Sequence, residues 1–173
     1  MASTETAQAG ERADLLQALA AQRQFLRYTV RDLTDEQARQ RTTVSELCLG
    51  GIIKHVTQVE RQWANFIEHG PPAEDIMSEQ AMAAHAASFR MGDDETLAGL
   101  LDDYDRAAQR TSEIVTALPG LDASQPLPEA PWFEKGARWS ARRTLIHILA
   151  ETAQHAGHAD IIRESLDGAK TMG

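Results

Sequence analysis

Residues 145–168 read LIHILAETAQHAGHADIIRESLDG and decide the fold, because they combine an apolar helical face with four ionisable side chains. On an α-helix that advances about 100° per residue, Glu151, His155 and His158 lie at about 40°, 80° and 20° from His147. All four therefore project from one side of the helix, at the edge of its apolar arc. Imidazole and carboxylate groups aimed at a bundle interior cost free energy unless a partner satisfies them, and a bound metal would do so.

The composition indicates one soluble domain and disfavours partners with a negatively charged surface. The chain has 173 residues, a formal net charge of −9 and a single cysteine, Cys48. This length can bury a core without disulfides, whereas the acidity is unfavourable for binding nucleic acid or an anionic membrane. The N-terminus lacks a signal-peptide pattern, and no segment approaches the roughly 18 apolar residues of a membrane span. We therefore expect a cytoplasmic protein with a single domain over 1–173, in which 1–10 are disordered.

Four long segments with helical periodicity predict an all-α fold. They begin near Glu11, after a start signal at 42–46, at Asp93 as N-cap, and at Ser140 as N-cap. Between the first two, Thr34 and Gln37 form a capping-box pattern. A short helix is expected over 81–88, and no stretch shows β-alternation of useful length. Because the second and third connections are long, we predict a four-helix bundle with long crossover connections.

Several residues in and after the second long helix have an ordinary interpretation. The pair Gly50-Gly51 weakens the start of this helix, and we interpret it as allowing the close approach of a neighbouring segment. Cys48 is expected to be a small buried hydrophobic residue rather than a nucleophile. His69 and His85 are expected in or near loops and receive no function. Three aromatic residues of the last connection fit either a pocket mouth or a cap over the bundle end: Trp132, Phe133 and Trp139.

His55, on the second long helix, is a candidate metal ligand that can face the ionisable residues of the last helix. It lies at the edge of the apolar stripe, so two facing helices can bring it opposite Glu151 and His155. Two imidazoles and a carboxylate with an open position are the ligands of a catalytic zinc site. The same donors suit nickel or iron(II), and we expect zinc. The alternatives are a hydrogen-bonded histidine at position 55 and a solvated edge on the last helix.

Two runs closely resemble the DinB-like superfamily of metal-binding four-helix bundles. They are LGGIIKHVTQVERQW at 49–63 and RRTLIHILAETAQHAGHADIIRESLDG at 142–168. The nearest branch contains the mycothiol- and bacillithiol-dependent S-transferases and the mycothiol-dependent maleylpyruvate isomerases. The resemblance implies that His55, Glu151 and His155 hold the metal. It places His147 and His158 near the site without giving either a ligand role.

The resemblance also implies a reaction class. Its members use a low-molecular-weight thiol as cosubstrate, which attacks an electrophilic substrate. The isomerases have an additional C-terminal domain, whereas this chain ends at Gly173, so we expect an S-transferase, with detoxification as a role. A non-catalytic, stress-related metal-binding bundle and a metal-dependent hydrolase stay open as alternatives. The sequence does not decide between a monomer and a homodimer.

Overall fold

A computed structural model describes residues 2–171, with side chains from Gly10 onward, and this part of the chain is mostly α-helix. The elements in chain order are α1 (Ala2–Thr29), α2 (Asp35–Arg39), α3 (Leu49–His69), α4 (Glu79–Ser88), α5 (Leu97–Ala117), β1 (Ser124–Pro126), β2 (Arg138–Ser140) and α6 (Ala141–Asp167). The predicted all-α fold is confirmed. Disorder of 1–10 stays a prediction, since Met1 and the side chains of 2–9 lie outside the described part. No helix among residues 2–171 has the length and apolar character to cross a membrane.

The four long helices form a bundle. α1 packs on α6, α6 on α3, α3 on α5 and α5 on α1, so that α1 and α3 are diagonal to each other. The connection from α3 to α5 contains α4, and the connection from α5 to α6 contains the antiparallel pair β1 and β2. These two elements explain why both connections are long.

The bundle core consists of two apolar clusters on either side of a buried polar contact. Arg23 of α1 donates two hydrogen bonds to the carboxylate of Glu60 on α3, and Glu60 is completely buried. A buried ion pair is tolerated only where good geometry offsets the loss of hydration, and a two-pronged guanidinium contact provides that geometry. The contact joins the diagonal helices through the centre of the bundle. The flanking clusters include Leu26, Ile52 and Leu100 on one side and Ala64, Val115 and Leu145 on the other.

Helix starts follow local capping chemistry. The capping box of Thr34 and Gln37 and the N-cap at Ser140 are confirmed. The predicted N-cap at Asp93 is wrong, because α5 begins at Leu97 and the Thr96 hydroxyl accepts the capping hydrogen bond. Asp93 instead belongs to the turn that precedes this cap.

The start of α3 and the presence of the strand pair β1 and β2 also differ from expectation. α3 begins at Leu49, later than the predicted signal at 42–46. The side chains of Thr43 and Ser45 accept hydrogen bonds from backbone N–H groups two residues ahead, which stabilises a non-helical turn there. Strands β1 and β2 have three residues each, too few to produce a recognisable alternation.

Gly50 and Gly51 let the segment that follows α4 pack directly on the first turn of α3. A Cβ atom at position 51 would lie 2.0 Å from the carbonyl oxygen of Phe89, and one at position 50 would lie 2.3 Å from the sulfur of Met91. The interpretation of the glycine pair as a site of close approach is therefore confirmed. This contact holds the end of α4 one helical turn from His55.

Replacing Gly51 by Ala is expected to destabilise the protein by about 1–3 kcal/mol, because backbone must move to admit the methyl group. Gly157→Ala is the matched control, since a Cβ there meets nothing within 4 Å in the helix α6. That control is expected to gain about 0.5–1 kcal/mol. Urea denaturation measures both free energies of unfolding. Equal stability gains in the two variants would contradict the packing described here.

Candidate metal centre

Three residues from two helices meet at one side of the bundle. His55 of α3 and Glu151 and His155 of α6 each offer one ligand atom, and these atoms all lie within 4.8 Å of one another. His55 is 3% exposed and His155 is 8% exposed, whereas Glu151 is half-buried. The four-residue spacing on α6 puts Glu151 and His155 one above the other, and the packing of α3 on α6 brings His55 opposite them. The structure thus brings together the three residues expected as ligands.

The His55 ring lies against the C-terminal end of α4. Its Nδ1 is 2.9 Å from the hydroxyl oxygen of Ser88, and its face stacks on Phe89 with ring centroids 3.8 Å apart. The ring of His85 meets that of His55 edge-on, with ring centroids 5.4 Å apart. His85 lies near a loop as expected, since α4 ends three residues later at Ser88, but the structure also places it next to the candidate ligands.

Sequence reasoning missed the contribution of α4. Its interior is rich in alanine and lacks an amphipathic pattern, so nothing in it indicates which side faces the bundle. The glycine pair of α3 was the available signal, since a close approach there brings the following segment next to His55. Recognising Ser88 and Phe89 would have required knowing which segment approached.

Glu151 has a histidine on each side along α6. Its Oε2 is 3.8 Å from Nε2 of His155, and its Oε1 is 3.9 Å from Nε2 of His147. These distances exceed those of good hydrogen bonds, so the carboxylate is near both imidazoles without being fixed by either. His147 is therefore adjacent to the centre, through Glu151, but is not in the group of three.

His158 lies on the other side of His155, with ring centroids 5.4 Å apart. The Nδ1 atoms of His155 and His158 are both buried, and neither has a hydrogen-bond partner among the described side chains and backbone. A buried ring nitrogen without a partner is costly and calls for a ligand, an ion or water. Unpaired buried nitrogens next to the three candidate ligands are therefore consistent with a site that binds a group from outside the chain.

An aromatic wall, defined as Trp63, Phe133 and Trp139, flanks the centre on the His147 side. Trp63 and Trp139 stack with centroids 4.9 Å apart, and His147 meets the two indoles edge-on at 4.9 and 5.0 Å. Phe133 extends the wall to a groove of about 440 Å³ along residues 127–136. Trp139 thus contacts both His147 and the groove-lining Phe133, whereas Trp132 is largely exposed.

The histidines of the centre are held in the neutral form. Burial lowers the pKa of His55 to about 3, with the charges of His155 and His85 acting in the same direction. Burial also lowers the pKa values of His147 and His155, although the carboxylate of Glu151 opposes this effect in both. A neutral imidazole has the lone pair that a metal needs, so His55 and His155 are in the form that can coordinate a metal near neutral pH.

Cys48 is not part of this arrangement. It is the N-cap of α3, is 5% exposed and belongs to an apolar cluster, and it is not among the residues whose ligand atoms converge on Glu151. The expectation that it is a buried hydrophobic residue agrees with this position.

The donor set and its spacing fit a divalent metal. Ligand atoms about 2.0–2.2 Å from a tetrahedral metal lie about 3.4 Å from one another, so modest side-chain rotations would close the observed spread. Two imidazoles and one carboxylate leave a fourth position for an external group. Zinc, nickel and iron(II) all accept this set.

Comparison with known proteins assigns a family. The family model described as mycothiol-S-transferase matches residues 14–168, which is most of the chain and includes α3 and α6. A search of curated proteins finds no match.

The lowered pKa of His55 predicts how the metal-free protein responds to acid. Its unfolded imidazole binds a proton near pH 6.5, but the folded one does so only near pH 3, so the unfolded state is favoured as pH falls through that window. We expect the free energy of unfolding to decrease between pH 7 and pH 5, and to decrease less steeply in His55→Gln. The exposed His69 supplies the control, His69→Gln, which is expected to follow the wild-type slope. Urea denaturation of chelator-treated protein at each pH measures how the free energy of unfolding changes with pH. The same pH dependence in all three proteins would be inconsistent with a buried neutral His55.

Proposed function

The chain belongs to the mycothiol S-transferase family, within the DinB-like superfamily, and on this premise we propose that it is a divalent-metal-dependent thiol S-transferase. Its cosubstrate is mycothiol or a thiol of the same type, and its second substrate is an electrophile. The observation that carries the proposal is the convergence of His55, Glu151 and His155 within 4.8 Å. Three protein ligands with an open fourth position are typical of catalytic rather than structural zinc sites.

In the proposed reaction, the sulfur of the thiol forms a bond to the electrophilic carbon. The bond between that carbon and its leaving group breaks, the electron pair leaves with that group, and the thiol proton passes to solvent. A divalent metal bound at the centre would lower the pKa of a coordinated thiol, so that it is a thiolate near neutral pH.

The chain's own residues would hold the metal and contact the electrophile. His55 and His155 are neutral donors, whereas Glu151 contributes a negative charge that compensates part of the charge of a divalent cation. Trp139 and Phe133 form an apolar surface beside His147, which suits the non-reacting part of an electrophile. The nucleophilic sulfur comes from the cosubstrate, because Cys48 is buried and its sulfur is not among the ligand atoms that converge at the centre.

We expect one zinc ion per chain in the wild-type protein and loss of stoichiometric binding in His55→Ala. The exposed His69 at the end of the same helix is the matched control, and His69→Ala is expected to retain the metal. Glu151→His should preserve binding because it supplies a third imidazole, whereas Glu151→Ala should weaken it. Plasma emission spectrometry of dialysed protein measures the metal content. Full metal content in both His55→Ala and Glu151→Ala would remove this pair from the ligand set.

Transfer activity is expected to require both the metal and the thiol. Incubation of the zinc-loaded protein with mycothiol and an alkylating electrophile such as monochlorobimane should yield the thioether conjugate. Chelator-treated protein should lose this activity and regain it with zinc. Cys48→Ala is expected to keep wild-type activity, because the buried thiol is not the attacking group.

Three results would contradict the proposal in different ways. Loss of transfer in a folded Cys48→Ala variant would make the chain itself the sulfur donor. Stoichiometric zinc with no response to a broad panel of thiols would favour a non-catalytic bundle, in which His147 or His158 closes the fourth position. Hydrolysis of an ester substrate without any thiol would favour a metal-dependent hydrolase.

A further inference from the structure

The side chain of Ser88 connects α4 to the candidate metal centre through one hydroxyl group. Ser88 is the buried residue of α4 and is 1% exposed. Its oxygen is 2.6 Å from the carbonyl oxygen of His85 and 2.9 Å from Nδ1 of His55.

These two contacts together favour one tautomer of His55. A hydroxyl group has one proton, and a carbonyl oxygen can only accept. The short contact to His85 therefore uses the Ser88 proton, since two oxygen atoms that close would otherwise repel. The contact to His55 then requires that Nδ1–H donates and that the Ser88 oxygen accepts. The Nε2 atom of His55 is left with the free lone pair.

We propose that Ser88 is a positioning residue that holds His55 in the Nδ1–H tautomer and so directs Nε2 to the metal. The inference rests on the proposed metal site, and it adds a residue outside the three ligands that sets the affinity of that site. Partners of this kind fix the tautomer and the ring orientation of metal-binding histidines, and their loss costs about 10–100-fold in metal affinity.

The surroundings of Ser88 support this role. Phe89, the next residue, stacks on the face of His55 and restricts rotation of the ring. The carbonyl of Phe89 in turn packs against Gly51 of α3. This contact fixes the position of the neighbouring Ser88 hydroxyl relative to His55. His155 has no equivalent, because its Nδ1 has no hydrogen-bond partner among the described residues. Ser88 is therefore the point at which one of the two imidazoles is oriented before a metal arrives.

The test compares three variants with the wild-type protein. Ser88→Ala removes the acceptor, and Ser88→Thr keeps a hydroxyl. Ser112→Ala is the matched control, because Ser112 donates to the carbonyl of Ala108 at 2.9 Å as Ser88 does to His85, but contacts no histidine. Zinc affinity is measured by competition with a chelator at fixed pH. The tautomer of His55 is read in metal-free protein from long-range ¹H–¹⁵N spectra, in which His55→Gln assigns the signal.

The expected result is an Nδ1-protonated His55 in wild type and a loss of about 10–100-fold in zinc affinity in Ser88→Ala. Ser88→Thr and Ser112→Ala are expected to bind zinc as wild type does. Unchanged affinity in Ser88→Ala, or a His55 protonated on Nε2 in wild type, would overturn the assignment. If Ser88→Ala does not fold, the wild-type spectrum decides the question by itself. Failure of wild type to bind zinc would instead refute the proposed metal site, which keeps the two conclusions separate.

Discussion

A buried imidazole needs a suitable partner for each of its two ring nitrogens, and His55 is the imidazole on which the candidate site depends. Its Nδ1 meets Ser88, which is held in place because Phe89 packs on Gly51 of the same helix as His55. The other nitrogen, Nε2, is the one that we propose for a metal shared with Glu151 and His155, whose ligand atoms converge with one of His55. The His55 ring thus links three features of the structure. These are Gly51, the short helix α4, and the two candidate ligands on the adjacent helix α6.

The bundle contains two kinds of buried polar group, and the difference between them is informative. Arg23 and Glu60 pair through two hydrogen bonds and opposite charges, so neither needs a ligand from outside the chain. We interpret this contact as structural. The group around His155 is not closed in the same way, since its Nδ1 is buried without a partner among the described residues and the neighbouring carboxylate lies 3.8 Å from Nε2. Buried polar groups without a hydrogen-bond partner in the chain are usually found where a ligand supplies that partner.

Periodicity alone was enough to predict the long helices, and the four-residue spacing of Glu151 and His155 was enough to place them on one face. His55 required in addition that its helix pack on the last one, which the apolar stripe suggested and the structure bears out. His85, Ser88 and Phe89 could not be predicted, because their position depends on how an irregular connection folds back on the glycine pair. The N-cap at Thr96 rather than Asp93 had a different cause, since several neighbouring residues were suitable caps and the turn before the helix selected one.

We propose that His55, Glu151 and His155 hold a metal with one position open to a thiol. X-ray absorption at the zinc edge, recorded on zinc-loaded protein before and after addition of mycothiol, tests this claim most directly. We expect nitrogen and oxygen ligands around the zinc before addition of the thiol, and one additional sulfur ligand at about 2.3 Å afterwards. The same experiment on Cys48→Ala should give the same change. A shell that contains sulfur before any thiol is added, or one that is unaltered by saturating thiol, would contradict it.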